Sequence, residues 1–486
     1  MSELLRGSAL LSLGTLLSRI LGYVRDAVVA YAFGATPLTD GFFVAYRLPN
    51  LFRRVLGEGA VNAALLPLYG EALKKNEGER FLAEAFFWLS FLSALTGALG
   101  SLFAEQLVLL LAPGLKGKES FQYAVFFTRY VFPYLFLVAL YAAGSGALMV
   151  KGRFFVPSVS QALFNLTFIT VTALGAEGLG PWSLVLGVLL GGVAQNLPNF
   201  LLGLKEGLVV LPRPSWSPRA RLFLKRLLTV LGSFSAGQLS LLVDTFLASF
   251  LREGFISVLY YASRLYTLPV SLFSVGLGSA MLALSARTGG VRERFLEALS
   301  LSWALALPAA TGLFLLAEEI VKLLFGRGAF GPEEVSLTAR LVRFYAFSVP
   351  FFSLQHVFKS YFYAKGKPGE ALRATVVTVL TDALVASSAL FVFKLGVYAF
   401  PAGATAGAVA GVAFLKLRAG LPLMPPALFK YLLATAAMSA AVFLSPQGSV
   451  RVFLIPVYAA VYFLFLALLK ERASLSVISK IRAGKE

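Results

Sequence analysis

Cysteine is absent from the 486 residues, and histidine occurs once, as His356. Disulfides, thiol nucleophiles, cysteine zinc sites and paired-histidine metal sites are thereby excluded. Neither a G-x-x-x-x-G-K-[ST] phosphate loop nor a G-x-S-x-G nucleophile turn occurs, so hydrolytic chemistry has no visible machinery. Charge is also scarce. Lys+Arg 43 and Asp+Glu 24 make 14% of the chain, against 58% hydrophobic residues. A soluble domain carries about 25% charged residues. What this chain has instead is long apolar runs, which place it in a membrane.

A bilayer takes about 20 apolar residues per helix. On that measure the chain reads as an all-α polytopic membrane protein of about fourteen spans. They fall at 8–33, 38–69, 83–112, 121–149, 157–176, 181–204, 223–251, 256–286, 295–317, 336–364, 371–393, 396–415, 427–445 and 450–469. The first carries Arg19, Arg25 and Asp26 and reads as a retained span, not a cleaved leader.

The net charge of +19 has two explanations, nucleic acid or topology. With the N-terminus in the cytoplasm, roughly 26 of the 43 basic residues fall on the inner side and about seven on the outer. Topology therefore absorbs most of the surplus. Both termini are expected to be cytoplasmic, and no nucleic-acid partner is expected.

The chain also repeats itself. Glu79-Arg80-Phe81-Leu82 recurs as Glu293-Arg294-Phe295-Leu296, Arg47-Leu48 as Arg264-Leu265, and Lys151-Gly152 as Lys365-Gly366, with Pro133 echoed by Pro350. Six spans fit one period, so both copies insert the same way up. Paired parallel lobes are a transporter architecture. The expected plan is an N-lobe over 1–212 (spans 1–6) and a C-lobe over 213–420 (an amphipathic linker and spans 7–12). An unrepeated pair of helices over 421–470 (spans 13–14) and a cytoplasmic basic tail over 471–486 follow. Gly187/Gly191 and Gly403/Gly407/Gly411 are spaced for close helix packing.

About ten basic residues remain inside spans, each costing about 2.5–3.5 kcal/mol at mid-membrane. For Arg129, Arg340, Arg343 and Lys359, near predicted ends, snorkelling to an interface and a cavity, partner or substrate are both open readings. Snorkelling explains Arg19, Arg25 and Arg264 poorly. Seven-residue spacing puts Arg19 and Asp26 on one face, with Arg25 about 120° away, so a bend near Gly22 or a wide cavity is expected. Asp40, Arg47 and Arg54 form a second stripe, in which Arg54 also has Glu58 at i,i+4. Arg53 adds a further cation beside Pro49. Buried cations that outnumber acids call for an anionic ligand, and arginine's planar fork suits diphosphate oxygens. In the second half, Asp244 and Asp382 lie within spans, Asp382 at the repeat position of Asn165. A buried acid pair is able to bind Na+ or H+; the bland alternative is a hydrogen-bonded structural acid.

The stretch Ser18-Arg19-Ile20-Leu21-Gly22-Tyr23-Val24-Arg25-Asp26, then Phe33-Gly34-Ala35, then Thr39-Asp40-Gly41-Phe42-Phe43-Val44-Ala45-Tyr46-Arg47-Leu48-Pro49-Asn50-Leu51-Phe52-Arg53-Arg54, with Glu58-Gly59-Ala60 and Tyr260-Tyr261-Ala262-Ser263-Arg264-Leu265, resembles the bacterial MurJ/MviN family. The resemblance runs the whole chain. It implies the fold of the multidrug/oligosaccharidyl-lipid/polysaccharide exporters, with two six-helix lobes around a central cavity. It also implies an undecaprenyl-diphosphate-linked peptidoglycan precursor, lipid II, as substrate, moved by alternating access across the bacterial cytoplasmic membrane. On this resemblance Arg19, Arg25 and Arg264 are cavity arginines. Ser18, Arg47, Arg53 and Arg54 are further substrate-binding positions, and Asp26 and Asp40 match acidic ones. Spans 13–14 are expected to form a hydrophobic groove for the polyprenyl tail. Asp244, Asp382, Thr378 and Thr405 are the candidate site for a monovalent cation such as Na+. Expected partners are lipid II, membrane lipids and the cell-wall synthesis machinery, with the protein working as a monomer. The rival readings are an exporter of drugs or of another lipid-linked oligosaccharide, and a scaffold whose arginines are all internally paired.

Overall fold

The computed structural model describes residues 3–56, 61–235 and 239–471. Glu58, the expected partner of Arg54, lies outside them, as do the side chain of Arg54 and most of the basic tail. Among the described residues the secondary structure is helical throughout. The helices are α1 (Glu3–Phe33), α2 (Pro37–Val55), α3 (Val61–Lys74), α4 (Gly78–Leu102), α5 (Ala104–Leu111), α6 (Glu119–Val131), α7 (Tyr134–Val150), α8 (Phe155–Leu179), α9 (Pro181–Lys205), α10 (Pro218–Ser235) and α11 (Leu239–Ala248). They continue with α12 (Phe255–Pro269), α13 (Val275–Thr288), α14 (Val291–Leu315), α15 (Ala317–Leu324), α16 (Pro332–Ala346), α17 (Val349–Ala364), α18 (Pro368–Ser387), α19 (Ala399–Ala419), α20 (Leu428–Leu444), α21 (Val450–Phe453) and α22 (Ile455–Leu468).

Most described residues of the expected spans are helical. Among the described residues, seven helices are long and apolar enough to cross a membrane, and α6 with α7, bent by 42°, makes an eighth if the pair is one span. Several expected spans are broken into shorter pieces. The span expected at 83–112 is α4 followed by α5. Proline accounts for the break at Pro133, since its ring removes a donor and clashes one turn back. Pro350 stands at the matching break between α16 and α17. The expected bend of the first span at Gly22 does not interrupt α1, which is one helix through that position.

The chain divides into two compact units, one of residues 1–257 with 328–330 and the other of 258–327 with 331–486. In the first, α8 lies between α1 and α9. Gly187 meets Phe168 and Thr172, and Gly191 meets Phe164, so the absent Cβ atoms set the α8–α9 approach. The linker before α10 is docked on α4. Trp88 Nε1 donates to Ser215 O at 2.8 Å, Trp88 and Trp216 stack edge-to-face at 4.6 Å, and Ser217 and Arg219 bond Glu84 and Glu77.

The repeat shows in the contacts. The Gly114 amide donates to Ser249 Oγ at 3.0 Å, and the Ala329 amide donates to Tyr31 O at 2.8 Å beside Gly34. Ala329 and Gly114 are about 215 residues apart, as are Ser249 and Gly34, so the repeat period relates the two contacts.

In the second unit the stripe Gly403, Gly407 and Gly411 of α19 lies on α18, as its spacing predicts. The unrepeated helices α20 and α22 are stitched to α14. Tyr462 Oη donates to Ala304 O at 2.7 Å, and Ser300 Oγ lies 2.6 Å from Tyr431 Oη. Tyr431, Met438 and Tyr462 join Trp303 in one apolar core.

Candidate functional site

Arg25 is the best-defined cation of the first unit. It leaves α1 only 9% exposed, and its neighbour Asp26 is 1% exposed. Its Nε and Nη2 donate to Asp26 Oδ1 at 3.1 and 2.8 Å. Its Nη1 reaches Asn165 Oδ1 on α8 at the long distance of 3.4 Å. Asn165 is itself oriented from the other side, since its Nδ2 donates to Ser18 O at 3.0 Å and to Gln161 O at 3.3 Å. The guanidinium also lies 5.9 Å from the Tyr46 ring and 5.7 Å from the Phe168 ring, within cation–π range. Phe42, stacked on Tyr46 at 5.4 Å, closes this cage.

Asp26 is bonded to adjacent Arg25, because the long arginine chain curls back across the helix face that ideal geometry separates. Arg19, expected on the face of Asp26, is exposed. The Nη1 contact to Asn165 is long for a hydrogen bond and correspondingly weak. Asn165, Tyr46 and Phe168 were not picked out as site residues. Only the repeat correspondence of Asn165 with Asp382 marked one of them.

Asp40 is placed differently. It is fully buried and accepts from the Gly254 amide at 2.6 Å, the Ser257 amide at 2.7 Å and Ser257 Oγ at 2.6 Å. Those amides are the unsatisfied first-turn donors of α12, so Asp40 caps that helix from α2. In this state it presents no oxygen to a ligand. Arg47 is half-buried on α2, and Arg53 Nε donates to Asn50 Oδ1 at 3.1 Å. Arg264 is half-buried on α12, in the second unit.

The candidate cation residues fall in both units. Asp244 is half-buried on α11, in the first. Asp382 and Thr378 are buried one turn apart on α18, with Thr405 half-buried on α19. Thr378 Oγ1 donates to Ala374 O and accepts from Gln355 Nε2, both at 2.9 Å. One carboxylate beside one committed hydroxyl does not by itself make an oxygen cage for Na+. Among the described residues no group of three or more acidic or histidine side chains is placed to hold a metal.

Comparison with known proteins agrees with this architecture. A family model described as "Lipid II flippase MurJ" matches residues 29–469. A probable lipid II flippase MurJ of Aquifex aeolicus (strain VF5) is 44% identical, over 100% of this chain and 99% of that protein. One from Thermotoga maritima is 29% identical over 94% and 95%. Among solved structures, one titled "Lipid II flippase MurJ, inward closed conformation" superposes with a TM-score of 0.84 at 24% identity, covering 95% of this chain and 98% of that one. An inward-facing multidrug resistance MATE family transporter superposes with a TM-score of 0.69 at 16% identity, covering 83% and 94%.

Proposed function

The chain is a member of the MurJ lipid II flippase family, and on that premise we propose that it carries lipid II from the inner to the outer leaflet of the bacterial cytoplasmic membrane by alternating access of its two six-helix repeats. The carrying observation is the family match over residues 29–469, joined by a relative 44% identical over 100% of the chain, α1 with Arg19 and Arg25 included. It is a transporter, not an enzyme. Both termini are cytoplasmic in this reading, and the protein works as a monomer alongside the cell-wall synthesis machinery.

Arg19, Arg25 and Arg264 supply the cations for the substrate's diphosphate, with Ser18, Arg47 and Arg53 as further donors. For Arg25 the supporting geometry is specific. The Asp26 bond fixes the guanidinium plane, and a phosphate oxygen replaces the weak Asn165 contact at Nη1. Charge-assisted bonds to phosphate are about twice as strong as neutral ones, so the exchange favours substrate. With the inside negative, the membrane potential draws the cations inward and resets the empty carrier. We retain Asp244 and Asp382 as candidates for the coupling ion, Na+ or H+.

The test is rescue of a flippase-depleted strain by Arg25→Glu. The expected result is no rescue with normal protein level in the membrane. Full rescue overturns the assignment of Arg25, and wild type failing to move lipid II in proteoliposomes overturns the function.

A further inference from the structure

The first unit carries a cleft that lipid II transport leaves unused. It lies between α5 and α6, has a volume of about 360 Å³, and is lined by Glu105, Gln122, Phe126, Arg129 and Tyr130. Arg129 is exposed, although it stands ten residues into α6, in a stretch expected to lie within the membrane. Glu105 and Gln122 are exposed as well. Among the described residues no ion pair involves Arg129 or Glu105. The cleft thus sets one cation, one anion and one amide side by side on its walls.

The rings fix the level of this patch. Trp182, at the start of α9, packs against Tyr130 at 4.7 Å and Phe126 at 5.0 Å. Tryptophan and tyrosine collect at the headgroup level of a bilayer. Arg129, adjacent to Tyr130, therefore stands among lipid headgroups. Beside the cleft, Leu102 and Phe103 are 72% and 47% exposed, an apolar surface suited to acyl chains.

We propose that this cleft binds the headgroup of a zwitterionic aminophospholipid of the phosphatidylethanolamine class. Its phosphate sits on Arg129 and its ammonium on Glu105, with Gln122 completing the polar contacts and Phe126 walling one side. The charge pattern selects this occupant. A lone arginine takes any phosphate, but an exposed carboxylate beside it repels a lipid of net negative charge and attracts one carrying an amine.

Native mass spectrometry of the purified full-length protein, with phosphatidylethanolamine and phosphatidylglycerol of identical acyl chains as probes, tests this. Wild type is expected to retain phosphatidylethanolamine preferentially. Arg129→Ala is expected to weaken retention of both lipids by about tenfold, the loss of one charge-assisted contact. Glu105→Gln is expected to keep phosphatidylglycerol and lose the preference for the amine. Both residues are exposed, and an unchanged melting temperature confirms that the variants are folded. A wild-type preference for phosphatidylglycerol, or wild-type lipid retention by both variants, overturns the proposal and leaves Arg129 as a snorkelling side chain.

Discussion

Asp40 and Ser257 occupy equivalent positions of the repeat and bond each other, the carboxylate accepting both the amide and the hydroxyl of Ser257 at 2.7 and 2.6 Å. Gly254 completes the link through its amide, and its φ of +90° is one that only glycine adopts freely. Removing the acid strands two buried amide donors, while the Ser257 hydroxyl retains Thr39 Oγ1 at 2.9 Å. Asp40→Ala is expected to lower stability by about 2–4 kcal/mol, read as a fall in the melting temperature of the solubilised protein. Asp40→Asn retains an acceptor but turns a donor toward one of the amides, so it should lie between. If Asp40 instead served only the substrate, Asp40→Ala would lose flipping while its melting temperature stayed at the wild-type value.

The Arg25–Asp26 pair makes a separate prediction. Breaking one side of a buried pair costs about 3–5 kcal/mol, because the other charge is left uncompensated. Asp26→Ala and Arg25→Ala should each be strongly destabilising, and the double variant should lose much less than their sum. Thermal unfolding of the four proteins measures this coupling. Additive losses would mean the pair is not coupled. Transport separates the roles further. Asp26→Ala leaves the cation present, whereas the double variant removes it and should flip no lipid II.

The helices were legible because apolar length is a strong signal, and the repeat was legible because local motifs recur at one period. Gly403, Gly407 and Gly411 announced their own packing. The role of Asp40 was not legible. Its donors lie more than 200 residues away, and no spacing rule on one helix points to them. The bond of Asp26 to adjacent Arg25 was not legible either, for a different reason. Ideal helix angles place Cα positions, but a long arginine side chain covers the difference. Trp88 and Glu84 looked like ordinary residues of an apolar span, and only the docked linker gives them partners. The division of several long spans into helix pairs was also hidden, since hydropathy runs on smoothly through a break.

The glycine stripe of α19 orders three substitutions. A methyl at Gly407 would lie 2.6 Å from Thr378 O, a backbone atom that cannot step aside. A methyl at Gly411 meets Thr378 Oγ1 and Gln355 Nε2, which are side-chain atoms able to rotate. A methyl at Gly403 meets Asp382 Oδ1 and also Asp382 O. Overpacking of this kind costs about 1–3 kcal/mol. Gly407→Ala should therefore lower the melting temperature more than Gly411→Ala. Equal shifts would show that the α18–α19 spacing relaxes freely.

The linker makes the last prediction, because its docking rests on a few identifiable contacts. Arg213 donates its amide to Ala83 O at 3.2 Å, Trp88 holds Ser215 O, and Glu84, 1% exposed, is reached by Ser217 Oγ and by Arg80 Nε at 3.3 Å. Trp88→Phe removes the indole donor but keeps a ring against Trp216. Trp88→Ala removes both the hydrogen bond and the ring packing against Trp216. Local opening of a surface segment is what a protease reads. Chymotrypsin cleavage after the exposed Trp216 should accelerate slightly for Trp88→Phe and by an order of magnitude or more for Trp88→Ala. If both variants cut at the wild-type rate, Trp88 does not hold the linker, and the contacts of Glu84 and Glu77 carry its docking alone.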